Sequence, residues 1–328
     1  MRKAVGHTTK VARRHLSSAV LAQSWHPPRP PANAPLPSLS PPAPYATPND
    51  LESFIAHISN AERLLIVTGA GISTASGIPD YRSPAGSYSR GHKPIQHMEF
   101  VKKAQAQQRY WTRSFVGWQY FSRAQPNAAH TALAELEQRG RARGGLITQN
   151  VDGLHSAAGH VDVLDLHGRI DAVECLSCGH SSPRAVWQER LAEFNSDWAH
   201  EMASNGPLPG EMRADGDSEI AVDDSFVVPP CVRCGDGIVK PSVVFFGGNV
   251  PKESVEAAAA AVQVADALLV VGSSLQVFSA FRLARAASQR GLPIAILNNG
   301  PTRADELDGV WRVAADACEV LPKVVARL

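Results

Sequence analysis

Short apolar runs recur along this chain, and helix-like segments separate several of them. The runs are Leu64 to Val67, Leu146-Ile147 before Thr148, Val163 to Leu166, Val243 to Phe246, Ala267 to Val271 and Ile294 to Leu297. Runs of this kind, without polar alternation, predict strands buried on both faces. Ala128 to Arg139, Glu253 to Val264 and Ala280 to Gln289 read as helices. A further helix is expected after Thr47, which stands as N-cap with Pro48 at the first helical position and Asp50 in the first turn. Leu51, Phe54, Ile55 and Ile58 continue it at helical spacing. Strands alternating with helices predict a parallel α/β sheet that binds ligands at the carboxyl ends of its strands. Several runs end in polar or glycine-rich turns: Thr148-Gln149-Asn150, His167-Gly168, Gly272-Ser273-Ser274 and Asn298-Asn299-Gly300. These turns are expected to meet along one edge of the sheet.

Two segments interrupt the alternation. Ser83 to Gln125 has no clear strand and many aromatics, among them Tyr110, Trp111, Phe115, Trp118, Tyr120 and Phe121. It predicts a helical lobe over the cleft whose aromatics form core. Cys175 to Cys234 carries four of the five cysteines, and its middle, Ser204 to Ser225, is rich in Gly, Pro and acids, which predicts a mobile loop.

Composition sets the N-terminal boundary. Residues 1–49 contain no Asp or Glu, carry Arg2, Lys3, Lys10, Arg13, Arg14 and Arg29, and hold ten of the 24 prolines between Pro27 and Pro48. The basic first half resembles an organelle transit peptide and the second a proline-rich linker; a disordered bacterial extension or a misassigned start codon are the other readings. The folded part begins near Thr47. A formal net charge of +1 over 328 residues gives no electrostatic reason to expect nucleic acid as partner. No apolar run reaches the roughly 18 residues that cross a bilayer, so no membrane partner is expected.

Three groups of residues carry candidate chemistry. The first is Gly69-Ala70-Gly71 at the end of the first strand. Glycines there let backbone approach a ligand, and a helix start gathers unpaired N–H groups that suit a dinucleotide pyrophosphate. Thr74 stands where the strict dinucleotide fingerprint has its third glycine; the polar continuation Gly77-Ile78-Pro79-Asp80-Tyr81-Arg82 is what an ordinary scaffold helix does not need. The second is Cys175-x-x-Cys178 with Cys231-x-x-Cys234. Two such knuckles close a tetrahedron of thiolates around Zn²⁺, a structural site with no open position. The 52 residues between Cys178 and Cys231 exceed the usual spacing, yet a threefold longer loop costs only about 1 kcal/mol of closure entropy. The third is Thr148-Gln149-Asn150-Val151-Asp152-Gly153-Leu154-His155 with His167. Its amides and acid suit ribose hydroxyls and a carboxamide, and a neutral imidazole at a strand end suits a general base. His57, His92, His97, His130 and His160 are expected to be structural.

In order along the chain, GAGIS (69–73), GIPDYR (77–82), PNAAH (126–130), TQNVDGLH (148–155), HG (167–168), both knuckles, KPSVVFFG (240–247), GSSL (272–275) and NNG (298–300) resemble the sirtuins, NAD-dependent protein lysine deacylases. Tyr81 in GIPDYR, VVFFG and GSSLQV look most like class II, the branch with a mitochondrial member. The resemblance implies a catalytic domain over 47–328. A Rossmann-type parallel sheet with helices on both faces would occupy 47–82, 126–170 and 240–328. A smaller lobe would combine a helical module (83–125) with a zinc ribbon (171–239), leaving 1–46 as a disordered extension. By position, Gly69, Ala70 and Gly71 would hold the NAD pyrophosphate, with Ile72 and Ser73 beside them. Asp80, Tyr81 and Arg82 would close over NAD, with Asp80 near the nicotinamide amide. Gln149, Asn150, Val151 and Asp152 would surround the nicotinamide ribose. Gly272, Ser273 and Ser274 would grip the adenosine half with Asn298, Asn299 and Gly300, and Cys318 would lie beside the adenine through its backbone. Cys175, Cys178, Cys231 and Cys234 would hold one structural zinc ion. Val243, Val244 and Phe245 would pair with an acyl-lysine peptide as an added strand.

The same resemblance implies that NAD is consumed. The acyl oxygen attacks the ribose as nicotinamide leaves, with Asn150 assisting. His167 then takes a proton from a ribose hydroxyl, and O-acyl-ADP-ribose and free lysine follow. Protein mono-ADP-ribosylation at the same site is the alternative; hydride transfer or an inactive zinc-ribbon binding module are the readings from other classes. Tyr110-x-x-Arg113 has the spacing with which some relatives recognise acidic acyl groups, but its surroundings differ from theirs. A monomer in the mitochondrial matrix is expected, or in the cytoplasm if residues 1–46 are not a transit peptide.

Overall fold

In the computed structural model the main sheet has six strands: β1 (Leu64–Thr68), β2 (Leu146–Thr148), β3 (Val163–Asp165), β7 (Ala267–Val271), β8 (Ile294–Leu297) and β9 (Val310–Val313). Strands β4 (Gly168–Cys175), β5 (Ser181–Pro183) and β6 (Val239–Val243) form a second, antiparallel sheet. The structure describes residues 48–84, 86–205, 213–218, 220, 222 and 224–327. The transit-peptide reading of residues 1–46 and the N-cap reading of Thr47 lie outside them.

All six strands of the main sheet run parallel, in the order β3-β2-β1-β7-β8-β9. Every residue of β1, β7 and β8 is buried, as the unalternated apolar runs require of strands covered on both sides. Leu64 and Ile66 face a layer that includes Phe54, Ile58, Leu133, Leu136, Leu321 and Val324 from helices Pro48–Ser59, Ala128–Gln138 and Ala317–Val325. Leu65 and Val67 face Ala258, Val262, Leu283 and Ala284 from helices Lys252–Val264 and Phe278–Gln289. The two-residue period of a strand thus divides one apolar run between two cores. The chain winds outward from β1 to β3 on one side and from β7 to β9 on the other. The order therefore reverses between β1 and β7, and a crevice opens at their carboxyl ends.

The small sheet has the order β5-β4-β6 and packs with helices Ala104–Phe121 and Arg184–Phe194 around Trp111, Phe115, Trp187, Phe226 and Phe245. The Trp111 indole donates to the Val239 carbonyl at 3.1 Å. Arg184 is fully buried, its guanidinium over the rings of Trp111 and Trp118. The aromatics expected as core behave so at Tyr110, Trp111, Phe115 and Phe121.

Two expectations are corrected. The run Val243 to Phe246 is not a strand of the parallel sheet. The strand ends at Val243 and belongs to the small sheet, where Pro241, which has no N–H, suits an edge position. The turn after β1 does lead into a helix, of 3-10 type, Ala70–Ser76. The mobile-loop reading fails where the structure describes the segment. Residues 206–212 lie outside the described residues, but Arg213, Ala214, Asp217 and Ser218 are buried. The Ala214 amide donates to Ser87 Oγ at 3.2 Å, and a side chain added to Gly117 would collide with the Gly216 carbonyl.

Candidate active site

The crevice between β1 and β7 is closed by glycines. A Cβ on Gly71 would stand 2.8 Å from the Gly272 carbonyl oxygen, and one on Gly69 2.8 Å from the Ser273 Cβ. The strand-end loops touch because neither glycine carries a side chain. Their amides are spent in doing so: Gly69 N–H donates to Val271 at 3.1 Å and Gly71 N–H to Gly272 at 2.8 Å. Their role is close approach, with Ala70 left between them on the wall of the cavity.

That cavity is lined by Ala70, Ser73, Ile78, Tyr81, Gln149, Asn150, Val151, Asp152 and Ala214. Seven of the nine were expected from the sequence. Asn150 follows β2; its side-chain amide donates to Ser73 Oγ at 3.0 Å and to the Gly69 carbonyl at 3.2 Å. Ser73 Oγ donates to Asp152 at 2.7 Å, and the other Asp152 oxygen receives the Leu154 amide at 2.9 Å. Burial raises the Asp152 pKa above the ordinary carboxylate range. Gln149 bridges to the other half of the sheet, its amide nitrogen donating to Ser273 Oγ at 2.7 Å. Ile78 and Ala214 were not foreseen. Ala214 comes from the segment between the knuckles, and no local pattern announces that such a segment reaches back to the cleft.

His167 stands between β3 and β4, next to this cavity through Gln149. Its Nδ1 lies 3.0 Å from the Gln149 carbonyl oxygen and its Nε2 2.8 Å from Ser279 Oγ. Burial and then the charge of Arg282 lower its pKa, against the Gln149 contact, which raises it. The ring is neutral at pH 7 and able to accept a proton. The His167 carbonyl receives the Val244 amide at 2.8 Å, which ties the base to the end of β6. Phe245 turns inward against Phe100 and Tyr110.

Beneath the cavity three imidazoles are packed ring to ring. His130 and His155 are 4.9 Å apart by centroid, and His155 and His160 5.2 Å. His155 Nε2 lies 2.9 Å from Thr68 Oγ1, and His130 Nδ1 3.0 Å from the Asn127 side-chain oxygen. His160 approaches Glu137 at 3.3 Å. Burial depresses all three, His130 to about 4.

Apart from Tyr81, which lines the cavity, the other expected residues fall outside this cluster. Asp80 does not line the cavity; its Oδ1 receives the amides of Arg82 and Ser83 at 3.0 and 2.9 Å and so shapes its own loop. Arg82 lies over the Tyr88 ring, and Tyr81 packs on Tyr88 and Phe246. Asn298 spends its side-chain amide on the Gly300 carbonyl at 2.7 Å, bracing the loop that includes Asn299. The Cys318 amide, expected to face an adenine, donates to Asp316 at 2.7 Å as the helix N-cap contact. Gly272 has φ +61° and donates its amide to Leu297 at 2.9 Å; Ser274 receives the Arg303 amide at 2.9 Å. Tyr110 is buried in the aromatic core, so the pair Tyr110-x-x-Arg113 presents no open tyrosine to an acyl group.

The cysteines converge as expected. The sulfurs of Cys175, Cys178, Cys231 and Cys234 lie within 4.8 Å of one another. Cys175 and Cys234 are 3.7 Å apart, Cys178 and Cys231 3.8 Å. A tetrahedron with Zn–S bonds of about 2.3 Å has edges of about 3.8 Å, so the donor set fits Zn²⁺. A side chain on Gly237 would collide with the sulfurs of Cys175 and Cys234. Among the described residues no helix is long and apolar enough to cross a membrane.

A model of the Sir2 family matches residues 69–279. An NAD-dependent protein deacetylase of Bordetella bronchiseptica is 50% identical over 280 residues, covering 85% of this chain and 98% of that protein. The mitochondrial NAD-dependent protein lipoamidase sirtuin-4 of Bos taurus is 46% identical over 291 residues, covering 88% and 89%. A solved Sir2 chain with a p53 peptide and NAD+ superposes with a TM-score of 0.61 at 26% identity, covering 84% of this chain and 98% of the other.

Proposed function

The chain belongs to the Sir2 family, and from that premise we propose that it is an NAD-dependent protein lysine deacylase that transfers the acyl group to ADP-ribose. The single observation that carries the reading is His167, a neutral base whose Nδ1 is fixed on the carbonyl of a residue that itself lines the cavity.

NAD, as co-substrate, supplies the glycosidic bond whose cleavage releases nicotinamide and provides the ribose that accepts the acyl group. Ser73, Asn150 and Asp152 form one hydrogen-bonded set and present preorganised polar groups to the ribose and carboxamide. His167 Nε2 takes the proton of a ribose hydroxyl, so that the oxygen can attack the acyl carbon. The outer side of β6, an edge strand, offers main-chain groups to an acyl-lysine peptide, with Val243, Val244 and Phe245 beside the base. The four cysteines hold one structural zinc ion and take no part in the chemistry. The chain acts as a monomer.

The test is a panel of acyl-lysine peptides with NAD, read by nicotinamide release and by the mass of the products. Wild type should form O-acyl-ADP-ribose. His167→Ala should lose at least about a hundredfold in rate while retaining one zinc per chain. ADP-ribosylated protein as the main product would favour the transferase alternative. Absence of nicotinamide with every peptide would overturn the reading.

Assignment to class II is supported by Tyr81 in GIPDYR, by VVFFG and by GSSLQV. Placement in the mitochondrial matrix is supported by the basic, acid-free N-terminus and by the similarity to a mitochondrial relative at 46% identity; the bacterial relative is 50% identical. N-terminal sequencing of the protein from its own cells should find a start near residue 47. A chain that keeps Met1 in the cytosolic fraction would overturn that placement.

A further inference from the structure

The base is held at both ring nitrogens. A carbonyl oxygen only accepts, so the 3.0 Å contact with Gln149 puts the proton of the neutral ring on Nδ1. Nε2 is then a lone pair, and Ser279 Oγ stands 2.8 Å from it as donor. Ser279 is the second residue of helix Phe278–Gln289, whose Leu283, Ala284 and Ala287 are buried against the main sheet. Its hydroxyl therefore rides on a rigid element and not on a loop. Arg282, on the same helix, donates from Nε to the Ser279 carbonyl at 3.3 Å. It is the charged group that acts on the His167 ring.

Resting on the deacylase reading, we propose that Ser279 is a positioning residue for His167. Its hydroxyl reinforces the Nδ1–H tautomer that the Gln149 carbonyl selects, and keeps the Nε2 lone pair occupied until a ribose hydroxyl takes its place. Without that donor the ring can rotate or hold the proton on Nε2, and in that tautomer the imidazole has no lone pair for the ribose hydroxyl. The proton that reaches Nε2 comes from the ribose oxygen, which then bonds to the acyl carbon; Ser279 neither gains nor loses a proton overall.

Two measurements test this. In ¹⁵N spectra of the histidine rings, with His167 assigned by its loss in His167→Ala, wild type should show a single Nδ1–H tautomer. Ser279→Ala should show a mixture, and Ser279→Thr, which keeps the hydroxyl, should restore the single form. In deacylation assays Ser279→Ala should lower kcat about tenfold with KM for NAD within twofold. Its acidic limb should move to higher pH, because the donor that favours the neutral ring is gone; Ser279→Thr should recover most of the rate. An unchanged tautomer in Ser279→Ala with kcat within twofold of wild type would overturn the proposal. So would parallel collapse of kcat and NAD affinity that threonine does not rescue, which would mark Ser279 as part of the NAD wall. If wild type releases no nicotinamide with any acyl-lysine peptide, the deacylase reading fails instead, and the ring spectra still decide what Ser279 holds.

Discussion

At the scale of single residues, histidines divide by what surrounds them. His167 keeps a polar partner at each nitrogen, whereas His155 Nδ1 and His160 Nε2 are buried without a hydrogen bond. Burial lowers the pKa of His130, His155 and His160 in the fold, so each binds a proton more readily when unfolded. Their contribution to stability is complete above the unfolded value of about 6.5 and is lost as pH falls through the folded values. For His130, depressed to about 4, the loss is on the order of 3 kcal/mol over that window. Thermal melts should therefore drop steeply between pH 6.5 and 4, and His160→Phe should flatten the slope; an unaltered slope would show that the stack does not carry the acid sensitivity. The sequence marked Asn150, Asp152 and His167 because polar groups at the ends of apolar strands have few structural reasons to be there. It could not mark Ser279, since a serine in the first turn of a helix looks like any other. Asp80 and Cys318 show the opposite limit: the positions are legible, but the hydrogen bond each group spends on a residue two or three places away is not.

At the scale of elements, the apolar runs foretold β1, β2, β7 and β8 because strands covered on both sides leave a continuous signal, and they foretold β3 although it is a half-buried edge strand. Strand β9 went unseen. It is a four-residue edge strand with Trp311 partly exposed and Arg312 paired to Asp305 at 3.1 Å, so its composition is mixed. The half-exposed β4 alternates irregularly and has a register shift between Gly168 and Val173. The knuckles were plain from spacing alone, since thiolate pairs two residues apart have few other uses in one chain. Their geometry makes a sharp expectation. Cys178→Ser should reduce bound zinc from one per chain to below about a tenth and abolish deacylation, although the sulfur lies outside the NAD cavity, because such a metal supplies folding free energy. Gly237→Ala should weaken zinc retention against a chelator, since its new methyl group meets two of the four sulfurs. Elemental analysis together with melting curves checks both; full zinc content in Cys178→Ser would refute the four-sulfur site.

At the scale of the whole molecule, the crevice follows from strand order. Reversal between β1 and β7 brings together residues as distant in sequence as Gly71 and Gly272, and Gln149 and Ser273. What strand order does not foretell is the second wall. The stretch 213–218 lies against Gly117 and Phe121 of the long aromatic helix, and also against Ser87 and Ile170, and it delivers Ala214 to the cavity. Gly117→Val should push this stretch off its seat. Hydrogen exchange should then rise at 213–218 while β1, β7 and β8 stay protected, and KM for NAD or peptide should rise severalfold. Unaltered exchange there would mean that the stretch is held elsewhere.

Because both knuckles converge on one point in space, the chain between Cys178 and Cys231 leaves and returns at nearly the same address. Most of that chain is built into the small lobe, since Arg184, Trp187, Leu191 and Phe226 are buried in its aromatic core. The part that delivers Ala214 can therefore redraw the mouth of the cleft only as far as that core holds it in place.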